Sequence, residues 1–253
     1  MADGPPGRMK MKIVCTIEAR MQSTRLPGKV LLPILGKPML ERLVERIRQA
    51  KEIDEVVIAT TVHPSCDPIA QLAEGIAVKC FRGSEEDVLD RVLRAAQSVN
   101  ADLIVELTGD NPLVDPRVIS KVVQAFMAGD TDYCTNHLKR TYPIGMDVQV
   151  FPVKVLEQVA SLTRDPRDHE HVSVFIYEHP EIFKIRDVES GITEDVHSMR
   201  LTVDTDADFR LICAVFERLY PKNPGFGLDD ILALRKAEPG LFAVNTHIQQ
   251  KKT

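Results

Sequence analysis

From Ala19 to Lys29 the chain reads Ala-Arg-Met-Gln-Ser-Thr-Arg-Leu-Pro-Gly-Lys, directly behind an apolar run over residues 12–17. Three fixed cations (Arg20, Arg25, Lys29), two hydroxyls (Ser23, Thr24) and Gly28 therefore crowd one loop after a first strand. That inventory suits a polyphosphate. Guanidinium and ammonium groups neutralise charge, hydroxyls and backbone N–H groups donate, and glycine lets the backbone come close. The loop is neither a G-x-x-x-x-G-K-[ST] phosphate loop nor a G-x-G-x-x-G dinucleotide turn, so binding would rest on side-chain cations. A basic surface turn is the plainer alternative; the place behind a strand and the dense spacing favour phosphate.

Leu107-Thr108-Gly109-Asp110-Asn111-Pro112 closes another apolar run. A carboxylate held between glycine and proline at a strand end suits a hard cation such as Mg²⁺, which takes oxygen ligands and shares them with substrate phosphates. An Asx-turn leading to the helix near Pro116 explains Asp110 equally well, although Asp115 is the better N-cap for that helix. Leu201-Thr202-Val203-Asp204-Thr205-Asp206 also ends in carboxylates. Helix capping by Thr205 or Asp206 accounts for much of it, and Asp204 stands nearest the strand end. Two aspartates at two strand ends opposite a cationic loop would form a magnesium–triphosphate arrangement; neither convinces alone.

Two further stretches carry polar groups. Arg140-Thr141-Tyr142-Pro143-Ile144-Gly145-Met146-Asp147 could hold a hydroxylated acceptor by stacking and hydrogen bonds, or be an ordinary Tyr-Pro turn. The stretch Arg164-Asp165-Pro166-Arg167-Asp168-His169-Glu170-His171 pairs its histidines at i, i+2, which does not share a helix face and matches no standard zinc pattern. A charged binding loop is the expectation there.

These residues need a scaffold, and 253 residues with 44% hydrophobic and 27% charged content supply one large α/β domain. A net charge of −5 argues against nucleic-acid binding and makes the cationic loop a local feature for a small anion. Cysteines at 15, 66, 80, 134 and 213 form no C-x-x-C pair, so reduced thiols and a cytoplasmic location are expected. No apolar stretch approaches the ~20 residues that span a bilayer, and residues 1–11 read as a flexible leader. Strand patterns at residues 12–17, 55–60, 77–81 and 102–107 alternate with helical ones at 39–50, 68–74, 84–96 and 116–127. That alternation predicts a mostly parallel sheet with helices on both faces. Ligands in such sheets gather beyond the carboxyl ends of the strands, where the loop, Gly83-Ser84 and Thr108-Gly109-Asp110 all fall. The second half predicts strands at 146–151 and 200–203, helices at 153–160, 206–219 and 228–237, and a charged loop at 162–170. Residues 12–253 are read as one domain, with an acceptor-binding or dimerisation extension around 135–200.

With these residues in place, the chain resembles the cytidylyltransferases that make CMP-activated sugars, in the spore-coat polysaccharide branch related to CMP-Kdo and CMP-sialic acid synthetases. The resemblance is carried by Ala19-Arg20-x-x-Ser23-Thr24-Arg25-Leu26-Pro27-Gly28-Lys29 and Gly83-Ser84-Glu85-Glu86-Asp87. Further on it rests on Thr108-Gly109-Asp110, Tyr142-Pro143-x-Gly145-x-Asp147, Glu170-His171-Val172 and Thr202-Val203-Asp204. It implies a Rossmann-like nucleotidyltransferase fold in which Arg20, Ser23, Arg25 and Lys29 hold the CTP triphosphate. Ala19, Gly83 and Ser84 would lie by the base or ribose, and Asp110 and Asp204 would bind Mg²⁺. Tyr142, Gly145, Asp147, Glu170 and His171 would line the acceptor pocket, with Arg20, Lys29 and Asp110 as catalytic groups. The implied reaction is Mg²⁺-dependent transfer of CMP to a sugar acid or sugar-type acceptor with release of pyrophosphate, in a homodimer. Guanylyl or other nucleotidyl transfer to a sugar phosphate, and a non-catalytic nucleotide sensor, are the rivals. Glu18, where relatives carry Pro or Gln, and Asn111, where they carry Glu or Cys, depart from the pattern.

Overall fold

The computed structural model describes residues 11–250, so residues 1–10 of the expected leader lie outside the described residues. Strand β1 (Ile13–Glu18) is buried over its first five residues, as an apolar run inside a parallel sheet must be. A hairpin of β2 (Pro33–Ile34) and β3 (Lys37–Pro38) leads into α1 (Met39–Ile47). Then follow β4 (Glu55–Thr61), α2 (Asp67–Gly75), β5 (Lys79–Gly83), α3 (Val88–Gln97), β6 (Leu103–Thr108) and α4 (Pro116–Met127). Asp115 caps α4 by accepting from the Arg117 N–H at 2.8 Å, which leaves Asp110 free of that duty. Asp87 caps α3 by accepting from the Asp90 N–H, and the Ser84 hydroxyl accepts from the Asp87 N–H.

The second half contributes β7 (Tyr133–Thr135), β8 (Gln149–Pro152), α5 (Val153–Leu162), α6 (Pro166–Glu170), α7 (Val174–Glu178), β9 (Ile185–Asp187), α8 (Asp206–Leu219) and α9 (Leu228–Ala237). The seven-stranded sheet runs β5-β4-β1-β6-β8-β7-β9. Its first four strands are parallel, β8 turns antiparallel to β6 and β7, and β9 runs parallel to β7. Apolar side chains of α1, α2, α4, α8 and α9 pack on one face in a single core. Those of α3, α5 and α7 pack on the other.

Two expectations fail in the irregular half. The charged stretch expected to be a loop contains α6, started by Asp165, whose side chain accepts from the Arg167 N–H, with Pro166 at the first helical position. The expected strand over 200–203 is a single bridge, Ile144 to Arg200. Beyond it the segment veers to β6, and the Val203 N–H bonds to the Asp110 carbonyl at 2.8 Å.

Gly145 makes that approach possible. It sits at φ +99°, and a Cβ there would lie 2.6 Å from the carbonyl carbon of Leu201 and 2.7 Å from the Thr202 nitrogen. Gly145→Ala is therefore expected to cost about 2 kcal/mol or more, seen as a lower urea midpoint; an unchanged midpoint would refute the close packing of 145 on 201–202.

Candidate active site

The chain leaves β1 for β4 and β5 on one side, then returns to place β6 on the other. The carboxyl ends of β1 and β6 thus form a topological switch point, where open α/β sheets keep their ligands. A cleft of about 860 Å³ opens there. Gly109 closes the gap between the two strand ends: its N–H bonds to the Glu18 carbonyl at 2.8 Å, and a Cβ would stand 2.8 Å from that same oxygen.

The cationic loop is folded by its own backbone. Gly28, at φ +72°, returns its N–H to the Met21 carbonyl at 2.9 Å and starts a 3₁₀ turn over Lys29–Leu31. This turn drives Lys29 inward. The Lys29 ammonium donates to Asp110 Oδ2 at 3.0 Å, Asp204 Oδ1 at 3.0 Å and the Val203 carbonyl at 2.6 Å, so all three of its protons are used. Arg25 meets Asp204 Oδ2 at 3.0 Å, and Arg200 donates to the same carboxylate. Arg200 is held in turn by Asp208, which also accepts from Asn245 and from the Asp204 and Thr205 N–H groups. Burial alone would raise the Asp204 carboxyl, but Lys29, ahead of Arg25 and Arg200, holds it below the ordinary carboxylate range. Arg20 remains nearly half exposed, 3.8 Å from Glu85.

Among the described residues no three His, Cys, Asp or Glu side chains converge as a metal cluster. The pair Asp110 and Asp204 nevertheless fits Mg²⁺, which uses one or two carboxylates and completes its shell from water and substrate phosphates. Both already flank one cation, the Lys29 ammonium, and Asp110 Oδ1 accepts from the Thr108 hydroxyl at 2.6 Å.

Ala19, Arg20, Ser23, Arg25, Lys29, Asp110, Glu170, His171 and Asp204 all line the cleft. Gly83, Ser84, Tyr142, Gly145 and Asp147 do not; Glu85 and Glu86 line it beside β5 instead. Tyr142 is buried, its hydroxyl 3.3 Å from Lys121 of α4, on the sheet face opposite α3. Asp147 is engaged by Arg140. Arg91, which lines the cleft, and Arg200 and Asp208, which brace Asp204, were not singled out from the sequence. An aspartate one turn into α8 reads as ordinary capping, and Asp208 does complete a capping box with Thr205.

Glu18, the unexpected acid, lines the cleft floor and meets Glu106. Glu106 is the one charge in the apolar run Leu-Ile-Val-Glu-Leu of β6, and that interruption was its signal. Thr16 and Glu106 are register partners, as are Glu18 and Thr108, so Glu18 and Glu106 share the sheet face turned to α3. Burial pushes the Glu106 carboxyl well up, and Glu18 beside it adds to the push. Burial raises Glu18 as well, against the pull of Arg91 and His171. Two carboxyls in contact oppose each other's ionisation, which adds to the effect of burial.

A sequence model of the family described as cytidylyltransferase matches residues 14–236. The chain belongs to the cytidylyltransferase family. It is 33% identical over 236 residues to the spore coat polysaccharide biosynthesis protein SpsF of Bacillus subtilis, covering 90% of this chain and 95% of that one. A 3-deoxy-manno-octulosonate cytidylyltransferase of Geobacter metallireducens is 36% identical over 118 residues, 47% of this chain and 46% of that protein. Among solved structures, a cytidylyltransferase from Leptospira borgpetersenii superposes with a TM-score of 0.85 at 31% identity, covering 97% of this chain and all of the other.

In this cytidylyltransferase the far wall of the cleft is α6, which ends in Glu170 with His171 just behind it. Its position depends on His169. The His169 Nδ1 lies 2.9 Å from Asp87 Oδ1 at the start of α3, and Nε2 lies 3.3 Å from the Thr163 carbonyl. Only the imidazolium donates to both. Burial works against that charge, but Asp87 and the Thr163 carbonyl outweigh it, and the His169 pKa is raised. The clamp therefore contributes fully below the unfolded histidine value and is lost as pH rises through the raised folded value. His169→Ala is expected to lower the melting temperature more at pH 5.5 than at pH 8.5. An equal loss at both pH values would show that packing, not charge, fixes α6.

Proposed function

We propose that the chain transfers CMP from CTP to a sugar acid or related sugar acceptor and releases pyrophosphate. One observation carries the reading: the three-cation loop of residues 19–29 meets the two carboxylates Asp110 and Asp204 across one ammonium, at the switch point of the sheet. The family membership supplies the reaction class, and relatives named for spore coat polysaccharide and for 3-deoxy-manno-octulosonate support a sugar-type acceptor.

In this reading Arg20, Arg25 and Lys29 bind the triphosphate, with Ser23 and Thr24 donating from the same loop. An acceptor hydroxyl oxygen attacks the α-phosphorus and its proton passes to solvent, the bond to the bridging oxygen breaks, and pyrophosphate departs with the electron pair. Lys29 contributes a fixed positive charge, since three partners already hold its ammonium in place and little reorganisation is needed as charge develops. Alignment of the two substrates supplies much of the remaining rate. Glu170 and His171 stand on the wall where the acceptor would be held. Mg²⁺ held by Asp110 and Asp204 would neutralise phosphate charge when bound.

Lys29→Ala is expected to lower CTP-dependent pyrophosphate release by about 10²–10³-fold in kcat, measured with sugar-acid acceptors and a four-nucleotide panel. Preference for GTP or UTP would overturn the cytidylyl assignment, and tight CTP binding without turnover on any acceptor would favour a sensor.

A further inference from the structure

Behind Asp204, on the side away from the cationic loop, stands Arg200, which is 4% exposed. Its Nη2 donates to Asp204, its Nε to Asp208 Oδ1 at 2.9 Å, and its Nη1 to the side-chain oxygen of Gln250. The two oxygens of Asp208 divide the work. Oδ2 accepts from the Asp204 and Thr205 N–H groups at 3.0 and 2.9 Å and from the Thr205 hydroxyl at 3.0 Å, which completes the cap of α8. Oδ1 accepts from Arg200 Nε and from Asn245 Nδ2, each at 2.9 Å. A helix cap needs only the first oxygen, so the second is left to hold the guanidinium.

Asn245 grips Arg200 twice. Its amide donates to the Asp208 counter-ion and also to the Arg200 carbonyl, at 3.0 Å, so both of its N–H groups are used. It is 3% exposed and lies past α9, just after a 3₁₀ turn over Pro239–Ala243 whose Phe242 is buried in the main core. A neutral amide is the group this place requires. Arg200 and Asp208 balance each other, and an uncharged donor completes the cluster while Asp204 keeps its own charge toward the cleft. A carboxylate at 245 would draw Arg200 off Asp204, and a cation there would compete with Arg200 for Asp208.

We propose that Asn245 is a positioning residue for nucleotidyl transfer: acting through Asp208 and Arg200, it fixes the Asp204 carboxylate in the orientation that faces the cleft and a divalent cation there. The proposal goes beyond the cytidylyl-transfer reading and rests on it for the role of Asp204. Partners that orient a metal-binding carboxylate from behind govern metal affinity or activity by about 10–100-fold. The cations assigned to the triphosphate lie on the other side of Asp204, on residues 20–29. A disturbance at Asn245 therefore falls on the metal and on turnover more than on CTP.

The test compares Asn245→Ala and Asn245→Ser with the parent chain. Mn²⁺ binding in the presence of CTP is followed by electron paramagnetic resonance, alongside thermal melting and steady-state pyrophosphate release. Asn245→Ala is expected to raise the half-saturating Mn²⁺ concentration by about 10–100-fold and to lower kcat by a similar factor, with the KM for CTP at saturating metal changed by less than about threefold. Asn245→Ser keeps one donor and should fall between the two; it decides the matter if the alanine variant does not fold. Unchanged Mn²⁺ half-saturation, whatever happens to the melting temperature, would overturn the positioning role and leave the transfer reading standing. Mn²⁺ and CTP binding weakened alike would also overturn it, because that is the mark of a generally loosened fold, as would a parent chain that binds no Mn²⁺. Asn245-dependent Mn²⁺ binding in a protein that turns over no acceptor would support the positioning role and overturn the transfer reading.

Discussion

A buried ammonium has to be surrounded by anions, and the cleft is organised around that requirement. Lys29 draws together Asp110 from the end of β6 and Val203 and Asp204 from a segment some 170 residues further along the chain. Other local choices serve the same meeting. Gly28 turns the loop so that Lys29 points inward; Gly109 lets the loop after β6 touch the end of β1; Gly145 lets residues 201–202 come against the body of the sheet. Asp208 and Asn245 then hold Arg200 behind Asp204, so this carboxylate is fixed from both sides. Removing one partner from such a cluster leaves an uncompensated buried charge, which is far more damaging than losing a surface ion pair.

Around this centre the cleft mixes charges of both signs. The loop side carries Arg20, Arg25 and Lys29, the floor sets Glu18 beside Arg91, and the far wall is α6, whose place depends on a histidine–aspartate contact with α3.

The parallel half of the sheet was legible because its strands are continuous apolar runs and its helices have clear caps, Asp115 among them. The loop and the two aspartates were legible because their residue types have few uses in common other than phosphate and metal. What escaped notice depends on long-range contacts. Strands β7 and β9 span three residues each and gain their identity from pairing with neighbours. Helix α6 is five residues long and almost wholly charged or polar, so it lacks an apolar period. Tyr142 looked like an acceptor contact because aromatic residues beside glycine often are, yet its ring fills the core beneath α4. Glu18 was visible as an oddity; its partner, 88 residues away, could be paired with it only by the β1–β6 register.

The saturation of Lys29 by three protein acceptors has a thermodynamic consequence. The cleft carries its own counter-ions, so a nucleotide meets the Lys29 ammonium as a charge already partly neutralised by Asp110 and Asp204 and not as a bare one. Association of this kind displaces few ions from solution. Its affinity should depend far less steeply on ionic strength than the three cations of the loop would suggest if each stood free in water.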